Sequence, residues 1–563
     1  MAHIGIDLGT TNSLVSVFEG GGPRLIANRL GGFLTPSVVG FDGRKLYTGE
    51  SALARKVAHP EEVAGAFKRT MGTEKTYKLG GKKFTSVELS AAILQSLKED
   101  AEQDLQERVV DVVISVPAYF NETQRNCVAS AARMADLNPV RLINEPTAAA
   151  LAYGLQDLEE ESCFLVFDLG GGTFDVSVLE VFEGVMEVRA TSGDAFLGGE
   201  DFTSLLARKL YEQLPDDQQT EANRVPLAKV ADEAKHALSK QPQAEINVDR
   251  PGLTLSTQIT REEFELLCEP LLARLRRPME RVLYDAKLKP DDLEKVVLVG
   301  GATRMPVIRT MLAKTLRHFP DAHIDPDYAV ALGASVQAGL VGKNQALKDV
   351  VMTDVTAHSL GIETVRKIGN RHLDGYFLPI IERNTVIPVS REEIVHPIHP
   401  QQDHIEVTVY QGEAPDVKSN VKLGRLKVDL PRAKSGEHES VSVRFTYDVS
   451  GLLDVDVTTL QDDKTSNLLI KNLAGDMSAS QIEATRKKLA KLKTHPRDEE
   501  INVLMRARIE QCFAMARLDQ RAEFSDLLAQ FDAVLAAQDP SDIEHFRDEV
   551  TPLLDRFEAS YVL

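Results

Sequence analysis

"IGIDLGTTNSLVSVFEG" at residues 4–20 and "LVFDLGGGTFDVSVLEV" at residues 165–181 are two copies of one device. Laid on each other without a gap, Asp7 meets Asp168, Leu8 meets Leu169 and Gly9 meets Gly170; further on, Val15, Ser16 and Val17 meet Val176, Ser177 and Val178. Each copy reads as a strand, an acid–glycine turn and a returning strand. Glycine lets a backbone come close to a phosphate, and successive N–H groups of the turn form an anion nest. Thr10, Thr11 and Thr173 add hydroxyl donors. Asp7 and Asp168, at the strand ends, offer the carboxylate oxygen that a hydrated Mg²⁺ prefers. Two facing copies would be the two jaws of a polyphosphate clamp. No P-loop occurs, and there is no dinucleotide fingerprint, because the glycine turn runs into a second strand instead of a helix.

With 563 residues the chain is too long for one core, and two to four domains are expected. Hydrophobic content of 43% and charged content of 27% are those of an ordinary globular protein. No apolar run is long enough to span a bilayer, and no basic n-region marks a signal peptide. Cys127, Cys163, Cys268 and Cys512 lie far apart and form no C-x-x-C pair, which predicts reduced thiols and a cytoplasmic protein. A formal net charge of −20 argues against a large nucleic-acid or anionic-membrane surface, yet leaves room for a local nucleotide site.

Residues 1–345 alternate β-branched runs with helical stretches, which predicts α/β architecture. "VVDVVISVPAYF" (109–120) reads as a strand reaching a proline turn, and "NETQRNCVASAARMADLN" (121–138) as a helix capped by an Asn. "EKVVLVGGATRMPVIRTMLAKTL" (294–316) repeats strand, Gly-Gly turn and helix. A short apolar tether follows between Asp349 and Asp354, and from there to about Gly475 the pattern has period two. Ile405, Val407 and Val409 alternate, as do Val441, Val443 and Phe445, and Leu453, Val455 and Val457, which predicts a β-sandwich. Beyond Gly475 helices are expected, opened by a Ser480-x-x-Glu483 capping box and cut into segments by Pro496, Pro540 and Pro552.

"GIDLGTTNS", "VISVPAYFN", "INEPTAAALAYG", "DLGGGTFDVS", "GGEDF", "LVGGATRMP" and "DVTAHSLGIET" together resemble the DnaK-type heat-shock-70 molecular chaperones, in family order and across essentially the whole chain. Compact length and local departures look most like the HscC branch. The resemblance implies a multidomain protein: an actin-like α/β ATPase domain over 1–345, an interdomain linker over 346–354, a β-sandwich substrate-binding domain over 355–475 and an α-helical lid over 476–563.

The same resemblance implies ATP/ADP, Mg²⁺ and K⁺ as ligands, with Asp7 and Asp168 on the metal. Gly9, Thr10, Thr11, Asn12, Gly170, Gly171, Gly172, Gly198 and Gly199 would hold phosphates. Lys68 would position the γ-phosphate and the attacking water, with Thr173, Glu145 and Asp175 beside it. Glu145 precedes a proline, so extended backbone is expected there. The reaction implied is in-line hydrolysis of the γ-phosphate, driven by positioning and charge neutralisation. Lys235, Ser239, Gly300, Gly301, Arg304 and Asp327 match the adenosine site. Asp232 stands where glutamate is usual, and His236 where an arginine commonly stacks. Pro117 and Arg125 resemble the family's proline switch and relay arginine. Arg141 and Asp354 resemble the pair that meets a J-domain co-chaperone, and Val350-Val351-Met352 the docking linker.

Ile362, Val365, Val395, Ile405 and Val407, with Ile398 near the arch, would line a groove for extended hydrophobic peptides. Val365, Val395 and Ile398 depart from the family pattern there. The hairpin within 239–258 and the loop 72–83 are shortened, which puts use of a nucleotide-exchange factor in doubt. "THPRD" (494–498) breaks the expected long lid helix. Two rival readings share the ATPase fold, a small-molecule kinase and an actin-like filament protein. Neither gives a reason for residues 355–563.

Overall fold

The computed structural model describes residues 3–56, 58–154, 162–182, 185–320, 324–344, 347, 351–368, 371–387, 389–398, 402–430, 440–447, 453–461, 464–470, 500–516, 519–537 and 540–561. The Ser480–Glu483 capping box, Pro496, "THPRD" and Val350 lie outside these residues.

Each copy of the opening device founds its own sheet. Strand Ile4–Leu8 runs antiparallel to Asn12–Glu19 and parallel to Asp111–Val116, which in turn pairs in parallel with Asn138–Asn144. Strand Ser162–Leu169 runs antiparallel to Phe174–Phe182 and parallel to Lys295–Val299. Parallel pairs need crossover helices, and these supply the cores. Ile4, Ile6, Val112 and Ile114 pack with Leu89, Ile93 and Val128 from two helices. In the second core Leu165, Phe167, Val176 and Leu298 pack with Phe202, Leu275 and Leu312. A third core, between the sheets, holds the small-residue helices Glu145–Gly154 and Ala329–Val341. Their closeness depends on glycine: a methyl at Gly5 would run into the backbone of Ser335, and one at Gly333 into Ala148. The predicted Asn cap is present, with Asn121 accepting from Gln124 N at 3.0 Å and Gln124 closing the box on Asn121 N.

The period-two segment forms two four-stranded antiparallel sheets over one core. Ile405, Val407 and Val409 from one sheet face Val441, Val443, Phe445, Leu453, Val455 and Val457 from the other. Within the tether between Asp349 and Asp354, the described residues belong to a strand, Val351–Val355. It extends the sheet founded by the second copy, pairing in parallel with Val185–Asp194 through Met186↔Met352, and then in antiparallel with Val386–Ile387. An extended apolar segment beside an open edge satisfies its N–H and C=O groups by joining the sheet.

Three helices follow, Glu500–Met515, Asp519–Ala537 and Pro540–Tyr561, around a core with Ile509, Phe531 and Leu554. Pro540 opens the last helix, but Pro552 lies inside it and does not cut it. Burial of Val550, Leu554 and Phe557 on one face carries the helix through the proline, against an intrinsic penalty of about 3 kcal/mol. The Glu500–Met515 helix packs against the N-terminal α/β part: Val503 joins Val38, Tyr47 and Ala52 in one cluster, Glu500 bonds Ser51, and Glu510 pairs with Arg55 at 3.3 Å. No helix among the described residues is long and apolar enough to cross a membrane.

Candidate functional site

The two acid–glycine turns face each other with almost no space between them. A methyl on Gly171 would run into Thr11 Oγ1, one on Gly172 would lie 2.6 Å from Thr10 Cγ2, and one on Gly198 would strike the backbone of Gly171 and Gly172. Glycine thus lets the second turn close on the Thr10 and Thr11 side chains of the first and on the backbone at Gly198, which leaves its N–H groups free of side-chain cover to meet an anion. Gly9 is braced from behind, its carbonyl accepting from Ser37 Oγ at 2.8 Å.

Around the turns, among the described residues, three buried carboxylates and the partly buried Asp7 stand with one buried ammonium. Lys68 Nζ donates to Glu145 Oε1 at 2.7 Å, and both side chains are buried. Asp7 accepts from Ser115 Oγ at 2.8 Å, and Asp175 accepts from Tyr119 N at 2.9 Å. Asp168 and Asp175 face each other across the second hairpin. Burial first, and the Glu145 charge second, push Asp7 and Asp175 up to about 7 and Asp168 well above the usual carboxylate range. So many buried carboxylates against a single ammonium call for more positive charge. A divalent cation with retained waters fits this oxygen-only donor set beside a phosphate nest. Glu145, expected in extended backbone before Pro146, instead opens the helix Glu145–Gly154 directly after the strand ends at Asn144. In the first helical turn the missing N–H of Pro146 removes no hydrogen bond.

The adenosine candidates flank this centre. Gly300 has φ +81, and a methyl there would strike the Leu169 carbonyl. Arg304 donates to Asp327 Oδ2 at 2.7 Å and to Asp325 Oδ1 at 2.5 Å. Opposite, Lys235 Nζ donates to Thr203 Oγ1 and Asp232 Oδ1, both at 2.7 Å, and Ser239 sits one turn along the helix. Burial opposes the Asp232 charge, but Lys235 outweighs it and holds the carboxyl below its usual range. His236 is exposed, 3.6 Å from Asp232.

Described residues also join this centre to the sandwich. Arg125 donates to the carbonyls of Phe120 and Ala118 at 3.2 and 3.3 Å and bonds Asn144 Oδ1. Asn144 Nδ2 donates to Asp354 Oδ2 at 2.9 Å. Arg141 and Asp354 line one cavity of about 50 Å³ together with His358, Gln411 and Tyr447. Pro117 is buried at the end of the Asp111–Val116 strand, and its carbonyl accepts from Phe120 N at 3.1 Å.

A family model described as Hsp70 protein matches residues 3–551. The chain belongs to the Hsp70 family. Members of this family are ATP-dependent chaperones, ATPases that bind nucleotide with Mg²⁺, and they generally bind client peptides and J-domain co-chaperones.

Of the groove candidates in this Hsp70 chain, Ile362, Ile405 and Val407 share the sandwich core, with Val395 packed against it. Val365 falls at a register irregularity between Thr364 and Arg366, and Ile398 is 40% exposed; neither joins that cluster. The bulge turns Val365 off the regular alternation. Ile398 is held instead by its loop, its N–H donating to Gln402 Oε1 at 3.1 Å.

Sequence reading missed Ser37, Ser115 and Tyr119, which brace the acids and the turn. Ser115 and Tyr119 lie within "VISVPAYFN" (113–121), but the acids they brace, Asp7 and Asp175, are far away in sequence. It also missed His358, whose ring lies 4.4 Å from that of Tyr119 and whose Nε2 is 3.0 Å from the Tyr119 carbonyl.

Proposed function

We propose that this chain is an ATP-driven chaperone of the HscC type, holding extended hydrophobic segments of clients with an affinity that ATP lowers and hydrolysis raises. In this reading the jaws hold the polyphosphate, Asp7 and Asp168 the hydrated Mg²⁺, and Lys68 the γ-phosphate and water. Bound Mg²⁺ supplies Lewis-acid neutralisation of the phosphate charge. The protein's own groups orient: the turn N–H groups aim at phosphate oxygens, and Lys68, fixed by Glu145, presents its ammonium. K⁺ beside the phosphates, a J-domain partner at Arg141 and Asp354, and a cytoplasmic location belong to the same reading. The shortened 72–83 loop and 239–258 hairpin favour nucleotide exchange without a factor gripping those elements.

The observation that carries the reading is the strand at 351–355 on the edge of the ATPase sheet. It gives the sandwich a hydrogen-bonded attachment within one residue of the catalytic centre, through Asp354 and Asn144. That arrangement suits coupling and serves no purpose in a kinase or filament protein. Fluorescence anisotropy of a labelled leucine-rich peptide tests it. Binding weaker with ATP than with ADP by about 5- to 150-fold is expected from ordinary inter-site coupling; equal affinity in both nucleotides contradicts it.

A further inference from the structure

Arg69 follows Lys68 in the turn Phe67–Thr70, whose Phe67 belongs to the first core. Its stem lies over the second jaw: a methyl at Gly172 would be 2.8 Å from Arg69 Cδ. Its Nη2 then reaches into the other half of the ATPase, donating to the Phe196 carbonyl at 2.8 Å and to Asp201 at 3.1 Å. Asp201 opens the helix Gly199–Glu212, where its Oδ2 also caps Gly198 N at 2.8 Å. A second guanidinium meets the same carbonyl from behind. Arg274, on the helix Arg261–Ala286, donates to Phe196 O at 3.2 Å and to Asp194 Oδ2 at 2.6 Å. Asp194 Oδ1 accepts from Phe196 N at 2.9 Å, which holds that carbonyl in place between the two arginines.

We propose that Arg69, backed by Arg274 at the Phe196 carbonyl, is a bolt across the phosphate clamp that sets how fast product nucleotide leaves. The inference rests on the nucleotide reading of the jaws. A diphosphate between the turns leaves only when the half carrying Thr10 and Thr11 separates from the half carrying Gly171 and Gly172. Arg69 spans that seam at its outer edge, with charge-assisted hydrogen bonds that must break first. Arg69 is a positioning residue: it touches the turn's backbone and Asp201, and it is Lys68 that points at Glu145. Arg274 keeps the acceptor aimed at Arg69.

The test preloads the full-length chain with a fluorescent ADP and chases it with unlabelled ATP. Single-turnover ATP hydrolysis is measured in parallel. Arg69→Ala is expected to release ADP at least about tenfold faster, the scale of losing charge-assisted hydrogen bonds, with hydrolysis little changed. Arg274→Ala, which leaves the Arg69–Asp201 pair intact, is expected to give a smaller acceleration, and Arg69→Lys an intermediate one. Because the guanidinium is partly exposed, wild-type release should quicken with salt and Arg69→Ala release should not. ADP release from Arg69→Ala and Arg274→Ala at the wild-type rate overturns the proposal. So does a loss of hydrolysis in Arg69→Ala matching its gain in release, which would make Arg69 a support for Lys68. If wild type retains no ADP at all, the nucleotide reading itself has failed, and the bolt with it.

Discussion

Asn144 donates its side-chain amide to Asp354 at 2.9 Å, and the next residue, Glu145, accepts from Lys68 at 2.7 Å. One peptide bond therefore separates the residue that holds the linker strand from the residue that holds the candidate catalytic lysine. In the proposed reading, movement of the linker strand would reach Glu145 through this strand–helix junction. Asp354→Asn should reduce peptide stimulation of hydrolysis by at least about fivefold, the lower end of ordinary coupling, while unstimulated hydrolysis persists. Stimulation undiminished in that variant would show that the linker communicates by another route.

Lys68 and Glu145 are a buried pair, so removing one partner has two separable consequences. Lys68→Ala should slow single-turnover hydrolysis by about 10²–10³, as when one preorganised charge donor is lost. It should also lower thermal stability, because a buried unpaired carboxylate costs about 3–5 kcal/mol. Lys68→Met combined with Glu145→Gln should regain most of the stability and none of the hydrolysis. Recovery of both would remove Lys68 from the chemistry.

Among the titratable groups at the interface between the linker strand, the sandwich and the α/β part, His358 and Glu122 respond to pH in opposite senses, and Asp354, which burial also pushes up, shares the sense of Glu122. Burial pushes the His358 imidazole below its usual value, and Arg125 and Arg281 add to that, while the Tyr119 carbonyl and Glu413 oppose it. A depressed histidine supports docking above the ordinary value of about 6.5, and that support is lost as pH falls below it. Glu122, whose N–H donates to Gln411 Oε1, is pushed up to about 7 by burial, with Arg125 and a bond to Tyr447 opposing. Its support is present at low pH and is lost as pH rises towards 7. Glu122→Gln removes one of the two opposing carboxyls. The chain has no tryptophan, so Met352→Trp in that background reports docking through its emission. Emission should shift towards the exposed value between pH 7.5 and 5.5, and His358→Leu should abolish the shift. A shift that survives His358→Leu assigns the titration elsewhere.

The hairpin repeat, the Asn121 cap and the sandwich alternation were legible because each is local: a turn, a cap or a period of two is written in neighbouring residues. Ile405, Val407 and Val409 followed their period into the core. The failures share a cause as well. Pro552 was read as a break, but burial on both sides of it outweighed local propensity. The tether between Asp349 and Asp354 was expected to dock by resemblance alone; the sheet edge that makes a strand of Val351–Val355 is not written in its own residues. Val365, a groove candidate by resemblance alone, sits at a register irregularity between Thr364 and Arg366 that no local pattern announces. Arg69 and Phe196 gain meaning only when two halves of the molecule, over a hundred residues apart, come together.

Gly171 tests the closeness of the jaws. Any side chain there meets Thr11 Oγ1, so Gly171→Ala should force the turns apart. Calorimetric titration should show ADP affinity lowered by at least about tenfold, given overpacking penalties of about 1–3 kcal/mol, with the fold retained by far-ultraviolet circular dichroism. Unchanged affinity would mean that the phosphates lie elsewhere.

The measurement that tests the account most directly is single-turnover ATP hydrolysis with and without a short, extended leucine-rich peptide, in wild type and Asp354→Asn. The account predicts peptide-stimulated hydrolysis in wild type and hydrolysis indifferent to peptide in Asp354→Asn. Wild-type hydrolysis that ignores the peptide would contradict it, and would leave an ATPase whose sandwich and linker strand do not speak to its active site.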